Sequence, residues 1–428
     1  MQLVKNRSLL LLLLCLPIIA NAQETNFSQY YSQLAKLNQF NGNVIIAKNN
    51  NIIFQNTYNL NDIEDSFKVL PQSKFIIASV SKVFVKTAIL KLQDKGKLKL
   101  SDSINKYIPD FPSGNKITIE NLLLHKSGLP RELANYETYA NITLNQAIEL
   151  AKKEQLLFEP NTQTAYSNVG YFLLHYIIGK VSGKGYFKFM QEDIFNKLKL
   201  KNTFEYNNAK NKLNFANGFT NEDNKIEPTE TKTIHQFETG NIITTVNDLY
   251  AFSQKIIASK FLSASSKSFL FHNDSMLVQA GGRKGYRSYL QINLKNKTTF
   301  ILVSNQSDIA LDEIIKETNN IIENKPFQLP KKSERKEIVL PDEVLRKYEG
   351  TYVSTEHKLN FTIKIMNNHL VAIEPNNSKT ILYAEADNSF FDNPNSKDTY
   401  SFIINDKDHV IAFQILTTGI KINLEKQH

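Results

Sequence analysis

Ser79-Val80-Ser81-Lys82 sets a hydroxyl and an amine three residues apart. On a helix that spacing puts both on one face. A lysine held in an apolar interior loses much of its preference for the charged form, so it serves as a base toward the hydroxyl. Backbone N–H groups at a helix start then bind a developing oxyanion. The chemistry within reach is nucleophilic acyl transfer through Ser79. The spacing alone is not specific, because Ser333-Glu334-Arg335-Lys336 repeats it inside a charged stretch. Context separates the two: Phe75-Ile76-Ile77-Ala78 precedes Ser79, and Val83-Phe84-Val85 follows Lys82. Taken alone, the pair also reads as a capping serine and a snorkelling lysine.

A second group follows 87 residues after Ser79, at Tyr166-Ser167-Asn168. A tyrosine phenol near a lysine relays a proton, since nearby positive charge favours the phenolate. An asparagine amide orients a substrate carbonyl or the lysine. Tyr206-Asn207-Asn208 is a decoy; only Tyr166 has Phe158-Glu159-Pro160 before it and the helical run Val169 to Leu174 after it. A third group is Gln279-Ala280-Gly281-Gly282 with Gly285-Tyr286. The chain holds only 15 glycines in 428 residues, about half the usual ~7%, so three within five positions are informative. Glycine lets a ligand lie against an edge-strand backbone; a hairpin turn is the plainer reading.

The elements that must position these residues can be read from the pattern. Asn43–Ala47 and Ile52–Phe54 form a strand pair around an Asn49-Asn50-Asn51 turn. Phe75 to Leu92 reads as one buried helix running past Lys82. Further helices are predicted at 119–124, 144–153, 169–181 and 249–257, and strands at 289–294 and 299–303. Strands at both ends with helices between predict an α/β (α+β) body in which N- and C-terminal segments share one sheet. Residues 326–341 hold three prolines and mixed charge and read as a linker. Beyond it, eight short strand candidates separated by Asn/Asp/Lys turns predict a small all-β sandwich or barrel over 342–428.

At the start, Lys5 and Arg7, the apolar run Leu9–Ala20 and Ala20-Asn21-Ala22 are the three parts of a secretory signal. Cleavage is expected after Ala22, giving an exported chain, periplasmic or extracellular, with no stable membrane insertion. The only cysteine, Cys15, lies within this signal behind Leu14, which does not suit lipidation. The mature chain then lacks disulfides, thiolate metal sites and a cysteine nucleophile. The net charge of +9 is spread along the chain without a clustered stripe, so nucleic-acid binding is not expected. No Gly-x-Ser-x-Gly elbow occurs. Among the histidines, His125 stands before Ser127-Gly128 and reads as a satisfied polar group near the site.

The three groups, in this order, resemble the serine β-lactamase and penicillin-binding-protein superfamily, most closely class C β-lactamases and related esterases and D-amino-acid peptidases. Leu122–Pro130, Glu159–Tyr171, Gly240–Leu249 and Thr299–Asn305 look like the family's intervening segments, and the resemblance covers roughly residues 30–325. It implies an antiparallel sheet flanked by helices plus a helical region, with the site between them, within a hydrolase domain over 23–325. It implies acylation of Ser79 and deacylation by water, Lys82 and Tyr166 sharing the base and acid roles. Asn168 and Gln279 would contact substrate, and the N–H groups of Ser79 and Gly282, beside Gly281, would bind the oxyanion. No metal or organic cofactor is implied. Residues 342–428 resemble the lipocalin-like β-domain often appended to such hydrolases.

The family usually has Lys or His where Gln279 stands. Gln donates hydrogen bonds but brings no charge, so carboxylate-bearing β-lactams are expected to be handled poorly. A small ester or neutral amide is the expected substrate. The competing readings are a D,D-peptidase or D-aminopeptidase on cell-wall peptides, and a catalytically silent binder of peptide or glycan. Asn161 and Asn241, where the family often has glycine, are expected to tolerate left-handed backbone angles. The oligomeric state stays open.

Overall fold

The computed structural model describes residues 23–134, 142–206, 213–222, 225–229, 240–258, 260–273, 275–332, 334–354, 359–375, 379–394, 396, 398–417 and 420–427. The expected signal at 1–22, Ser333 and Asn207-Asn208 lie outside the described residues. In chain order the elements are α1 (23–36), β1 (Gly42–Lys48), β2 (Asn51–Tyr58), β3 (Phe75–Ile76), α2 (Ser81–Asp94), α3 (Ile119–Leu123), α4 (Leu144–Ala151) and α5 (Asn168–Ser182). Next come α6 (Tyr186–Phe189), β4 (Phe204–Glu205), β5 (Phe219–Glu222), β6 (Lys225–Pro228), β7 (Ile242–Thr244), α7 (Val246–Ala258), α8 (Ala264–Leu270), β8 (Met276–Arg283), β9 (Tyr286–Asn293), β10 (Thr298–Ser304) and α9 (Leu311–Ile322). The C-terminal part holds α10 (Asp342–Leu345), β11 (Gly350–Ser354), β12 (Leu359–Met366), β13 (His369–Ile373), β14 (Lys379–Ala386), β15 (Ser389–Phe391), β16 (Thr399–Ile404), β17 (Val410–Thr417) and β18 (Ile420–Lys426). The described residues fall into two compact units, the first drawn from 23–94, 187–229 and 240–331, the second from 95–186 and 332–427.

The first unit is built on an antiparallel sheet in the order β2-β1-β10-β9-β8. β1 and β10 pair from Gly42↔Ser304 to Lys48↔Thr298, so early and late segments share one sheet, as the sequence pattern predicts. Both strands are buried on both faces, which is why Val44-Ile45-Ile46 and Phe300-Ile301-Leu302-Val303 are continuous apolar runs without alternation. The β1–β2 loop is two residues, Asn49 and Asn50, both at positive φ (50° and 64°); that is the geometry whose twist suits a tight hairpin. α1 and α9 cover one face through Phe27, Tyr30, Tyr31, Ile314 and Ile321, packed on Val44, Ile46, Phe54 and Leu302. The Tyr31 hydroxyl meets Thr318 Oγ1 at 2.8 Å within this layer.

In the second unit, helix starts are fixed by their caps. Thr118 and Asn121 form a capping box on α3, and Thr143 and Gln146 form another on α4. α5 ends at Gly183 with φ 69°, the left-handed cap that glycine takes at least cost. β11 to β18 form a closed antiparallel barrel, β11 pairing with both β12 and β18. Its interior is filled by Tyr348, Tyr352, Leu370, Leu382, Phe390, Phe402, Phe413 and Leu424. Eight strands enclose just enough room for such side chains. Tyr348 lies 4.4 Å from Phe402 between ring centroids, and the Tyr352 hydroxyl donates to the Tyr348 carbonyl at 2.7 Å. Each of the eight strand candidates read from the sequence is thus a barrel strand.

Candidate active site

The segment around Ser79 is not one helix. Phe75 and Ile76 form β3, paired with Thr244 and Ile243 of β7. A 3-10 turn, Ala78–Val80, follows, and α2 begins only at Ser81. Apolar spacing did not reveal this, because aromatic and β-branched residues satisfy a strand and a helix equally over so short a run. The break lies at Ala78, whose φ is +43°, a strained value for a residue with a Cβ. Ala78 is held there by close packing: a Cβ at Gly240 would come 3.2 Å from the Ala78 Cα. The turn leaves Ser79 half-buried at the head of α2. Lys82, only 1% exposed, directs Nζ to Ser79 Oγ at 3.1 Å, within reach for proton transfer. Phe84 anchors the helix by edge contacts with Phe195 and Phe252.

The third motif lies beside this turn. β8 is the edge strand of the five-stranded sheet and carries Gln279, Gly281 and Gly282. Gly281 touches the Ser79 turn: a Cβ there would stand 2.5 Å from Ile77 O and 3.0 Å from Ser79 N. The same Cβ would lie 2.4 Å from Ser288 Oγ, which donates to Ile77 O at 2.7 Å. Gly281 is therefore required by close backbone approach. Gly285, at φ 85°, makes the β8–β9 turn. The motif thus holds both an edge strand and the hairpin that the sequence read there. Gln279 is half-buried and donates Nε2–H to the carbonyl of Ala280 at 3.0 Å.

The second unit holds Tyr166 and Asn168. Ser167, between them, is the N-cap of α5: its Oγ accepts from Gly170 N–H at 3.0 Å and donates to Pro130 O at 2.7 Å. Capping by the middle residue fixes the backbone on both sides of it. His125 Nδ1 accepts the Ser167 N–H at 3.1 Å, and its ring stacks on Tyr166 at 4.5 Å. An acceptor Nδ1 places the imidazole proton on Nε2. The Arg131 guanidinium lies 5.1 Å from the centre of the Tyr166 ring. Asn168 donates one amide hydrogen to Glu132 Oε1. Glu132 and Arg131 carry no periodicity or motif that marks them in the sequence; only folding brings them to Tyr166-Ser167-Asn168. Asn161 takes φ 69°, as expected of asparagine in a glycine position. Asn241 does not: it is absent from the positive-φ positions, and its 1% exposure reflects a packed polar core residue.

One further titratable group lies close by in the first unit. Glu205, on β4, pairs with Ile242 of β7, two strands from β3. Burial pushes its carboxyl from the ordinary 4.5 up to about 8. Between those values the folded chain holds a proton that the unfolded chain has released. The stabilising contribution is complete below pH 4.5 and is lost as pH rises through about 8. Glu205→Gln is expected to flatten the fall in thermal stability between pH 5 and 8. Identical pH sensitivity in both proteins, followed by scanning calorimetry, would contradict this account. Among the described residues, no cluster of three or more His, Cys, Asp or Glu is placed to hold a metal ion, and no helix is long and apolar enough to cross a membrane.

Residues 33–320 match the Beta-lactamase family, well over half of the chain. Penicillin-binding protein 4* of Bacillus subtilis is 26% identical over 369 residues, covering 76% of this chain and 81% of that protein. The octameric penicillin-binding protein homologue from Pyrococcus abyssi has the same fold, with a TM-score of 0.64 at 17% identity over 95% of this chain and 98% of that one. The D-amino acid amidase of Ochrobactrum anthropi gives a TM-score of 0.60 at 18% identity, over 72% of this chain and 99% of its own. With the family match extending across Ser79, Lys82, Tyr166 and Gly281, the chain belongs to the β-lactamase family of serine-hydrolase fold.

Proposed function

We propose that this chain is an exported serine hydrolase that acylates Ser79 with a small ester or amide. The observation that carries the reading is the buried Lys82 Nζ at 3.1 Å from Ser79 Oγ. Lys82 takes the Ser79 proton as Oγ attacks the substrate carbonyl carbon. The resulting oxyanion is stabilised by the N–H groups of Ser79 and Gly282. Tyr166 returns a proton to the leaving alcohol or amine as the tetrahedral intermediate collapses. Water then attacks the ester carbonyl of the acyl-enzyme, giving acid and regenerating the Ser79 hydroxyl. Asn168 orients the substrate carbonyl. Gln279 is neutral, which supports uncharged acyl groups over carboxylate-bearing β-lactams.

A second reading, a peptidase or amidase acting beside a D-residue, is favoured by the penicillin-binding relative and by the amidase neighbour. Both readings share the acyl-serine. The mature protein treated with a fluorophosphonate should gain one adduct, mapped to Ser79 by peptide mass spectrometry, and Ser79→Ala should gain none. A folded wild-type protein that stays unmodified would favour the silent binding homologue instead.

A further inference from the structure

Tyr166 can return a proton only if its phenol is held in one place, yet it stands in the irregular stretch before α5 and not on a helix or strand. The segment 125–131, which follows α3, supplies the hold. Main-chain bonds lace it to 157–168. Leu157 N–H donates to Gly128 O at 2.7 Å, Asn161 N–H to Lys126 O at 2.8 Å, and Asn168 N–H to Arg131 O at 2.8 Å. His125 takes the two N–H groups that flank Tyr166. Its carbonyl accepts from Ala165 at 2.9 Å, and its Nδ1 accepts from Ser167 at 3.1 Å.

The imidazole also seats the phenol ring. Its plane lies 26° from that of Tyr166, with centroids 4.5 Å apart, and it stacks on Tyr171 at 5.2 Å. Tyr171 is fully buried in α5, and its hydroxyl donates to Leu123 O at 3.3 Å, so the imidazole rests on a fixed ring. His125 does this from a φ of +57°. Glycine and asparagine take that angle at less cost, but glycine offers no acceptor and asparagine no aromatic ring. A costly backbone angle kept at a residue with such side-chain contacts points to a role for the side chain.

We propose that His125 is a positioning residue for Tyr166: its carbonyl and Nδ1 fix the main chain on both sides of the tyrosine, and its ring seats the phenol, so that the hydroxyl meets the leaving group in one orientation. This rests on Tyr166 being the proton donor. A histidine present only to fill space would support the fold and slow every substrate alike. One that acts through Tyr166 slows the substrates whose leaving group needs a proton.

The experiment compares wild type with His125→Gly, which keeps the angle and removes acceptor and ring, and with His125→Asn, which tolerates the angle and places Oδ1 where Nδ1 stood. Thermal melts check folding. The substrates are a nitrophenyl ester, whose leaving group departs without a proton, and an alkyl ester, whose alkoxide must receive one. On the alkyl ester His125→Gly is expected to lose roughly 100-fold in kcat/KM, the cost of a misplaced reacting group, and His125→Asn to stay within ~10-fold of wild type. The nitrophenyl ester should be affected far less. In a Tyr166→Phe background His125→Gly should cost nothing further. Equal losses on both esters, equal losses in both backgrounds, or a folded His125→Asn no better than His125→Gly overturns the proposal. The order of the Tyr166 ring is followed in parallel by ¹³C relaxation in wild type and His125→Gly, which needs no turnover. If no ester is cleaved, or if Tyr166→Phe keeps the wild-type rate, the hydrolase reading or its proton donor fails. A Tyr166 ring rigid in wild type and mobile in His125→Gly then still supports the positioning, and a ring equally ordered in both refutes it.

Discussion

Lys82→Ala is expected to slow acylation of Ser79 by roughly 10²–10⁴-fold, the range spanned by a positioned proton acceptor. Lys82 is nearly fully buried, at 1% exposure, so truncation to alanine also opens a cavity in the α2 core. A large-to-small change of this kind costs ~2–5 kcal/mol, which would confuse a loss of chemistry with a loss of fold. Lys82→Met separates the two. It keeps the length and apolar stem and removes the amine, so its stability should match or exceed wild type, because a buried polar head no longer has to be accommodated. Its acylation rate should fall as far as that of the alanine variant. Intact-protein mass spectrometry against time gives the rates, and denaturant unfolding gives the stabilities. A Lys82→Met enzyme acylated at the wild-type rate would remove the lysine from the mechanism.

Gly281→Ala is the second large effect. The added methyl would stand 2.4 Å from Ser288 Oγ, 2.5 Å from Ile77 O and 3.0 Å from Ser79 N. Two of these are backbone atoms that cannot rotate away, so β8 must separate from the turn that carries Ser79. Overpacking of this sort costs ~1–3 kcal/mol. Displacing a single oxyanion donor costs ~10²–10³-fold in rate. Both losses should appear together in unfolding and acylation measurements. Gly282→Ala makes the contrast in stability: the three atoms nearest its Cβ would all belong to Arg287, the closest Nη1 at 3.3 Å, in a long side chain able to shift. A Gly281→Ala protein as stable as Gly282→Ala would show that the strand and the turn are not tightly opposed.

How far these arrangements were legible in the sequence depends on the kind of signal each residue carries. The barrel strands were legible because each is bounded by Asn, Asp or Lys turns; Asn367 and Asn368 even supply the positive φ of the β12–β13 turn. β1 and β10 were legible as long apolar runs. Gly281 stood out against a glycine-poor background and proved to be a place of backbone contact. The turn before Ser79 was not legible. Alanine is a helix former, and nothing in Phe75-Ile76-Ile77-Ala78 announces a residue at φ +43°; that angle is imposed by β7 and Gly240 from across the chain. Glu132 was missed for a related reason. A lone acid in a loop has no period, and its bond to Asn168 depends on a fold that brings together residues 36 positions apart.

The strand pairings also carry a consequence for synthesis. β1 finds its partner at Thr298–Ser304, and the barrel is sealed by β18 at Glu425–Lys426 against β11. Each architecture is completed by its last strand, so neither the open sheet nor the closed barrel can be completed while the ribosome is still making that strand. Contacts between such distant positions make folding slow. Until residue 304 has emerged, β1 has no β10 and the Ser79 turn lacks a sheet whose edge strand can back it. A nascent or prematurely terminated chain therefore carries an exposed-edge aggregation risk, and a stop codon shortly before residue 420 would unzip the barrel at β11 and β17 while leaving Ser79, Lys82 and Tyr166 encoded.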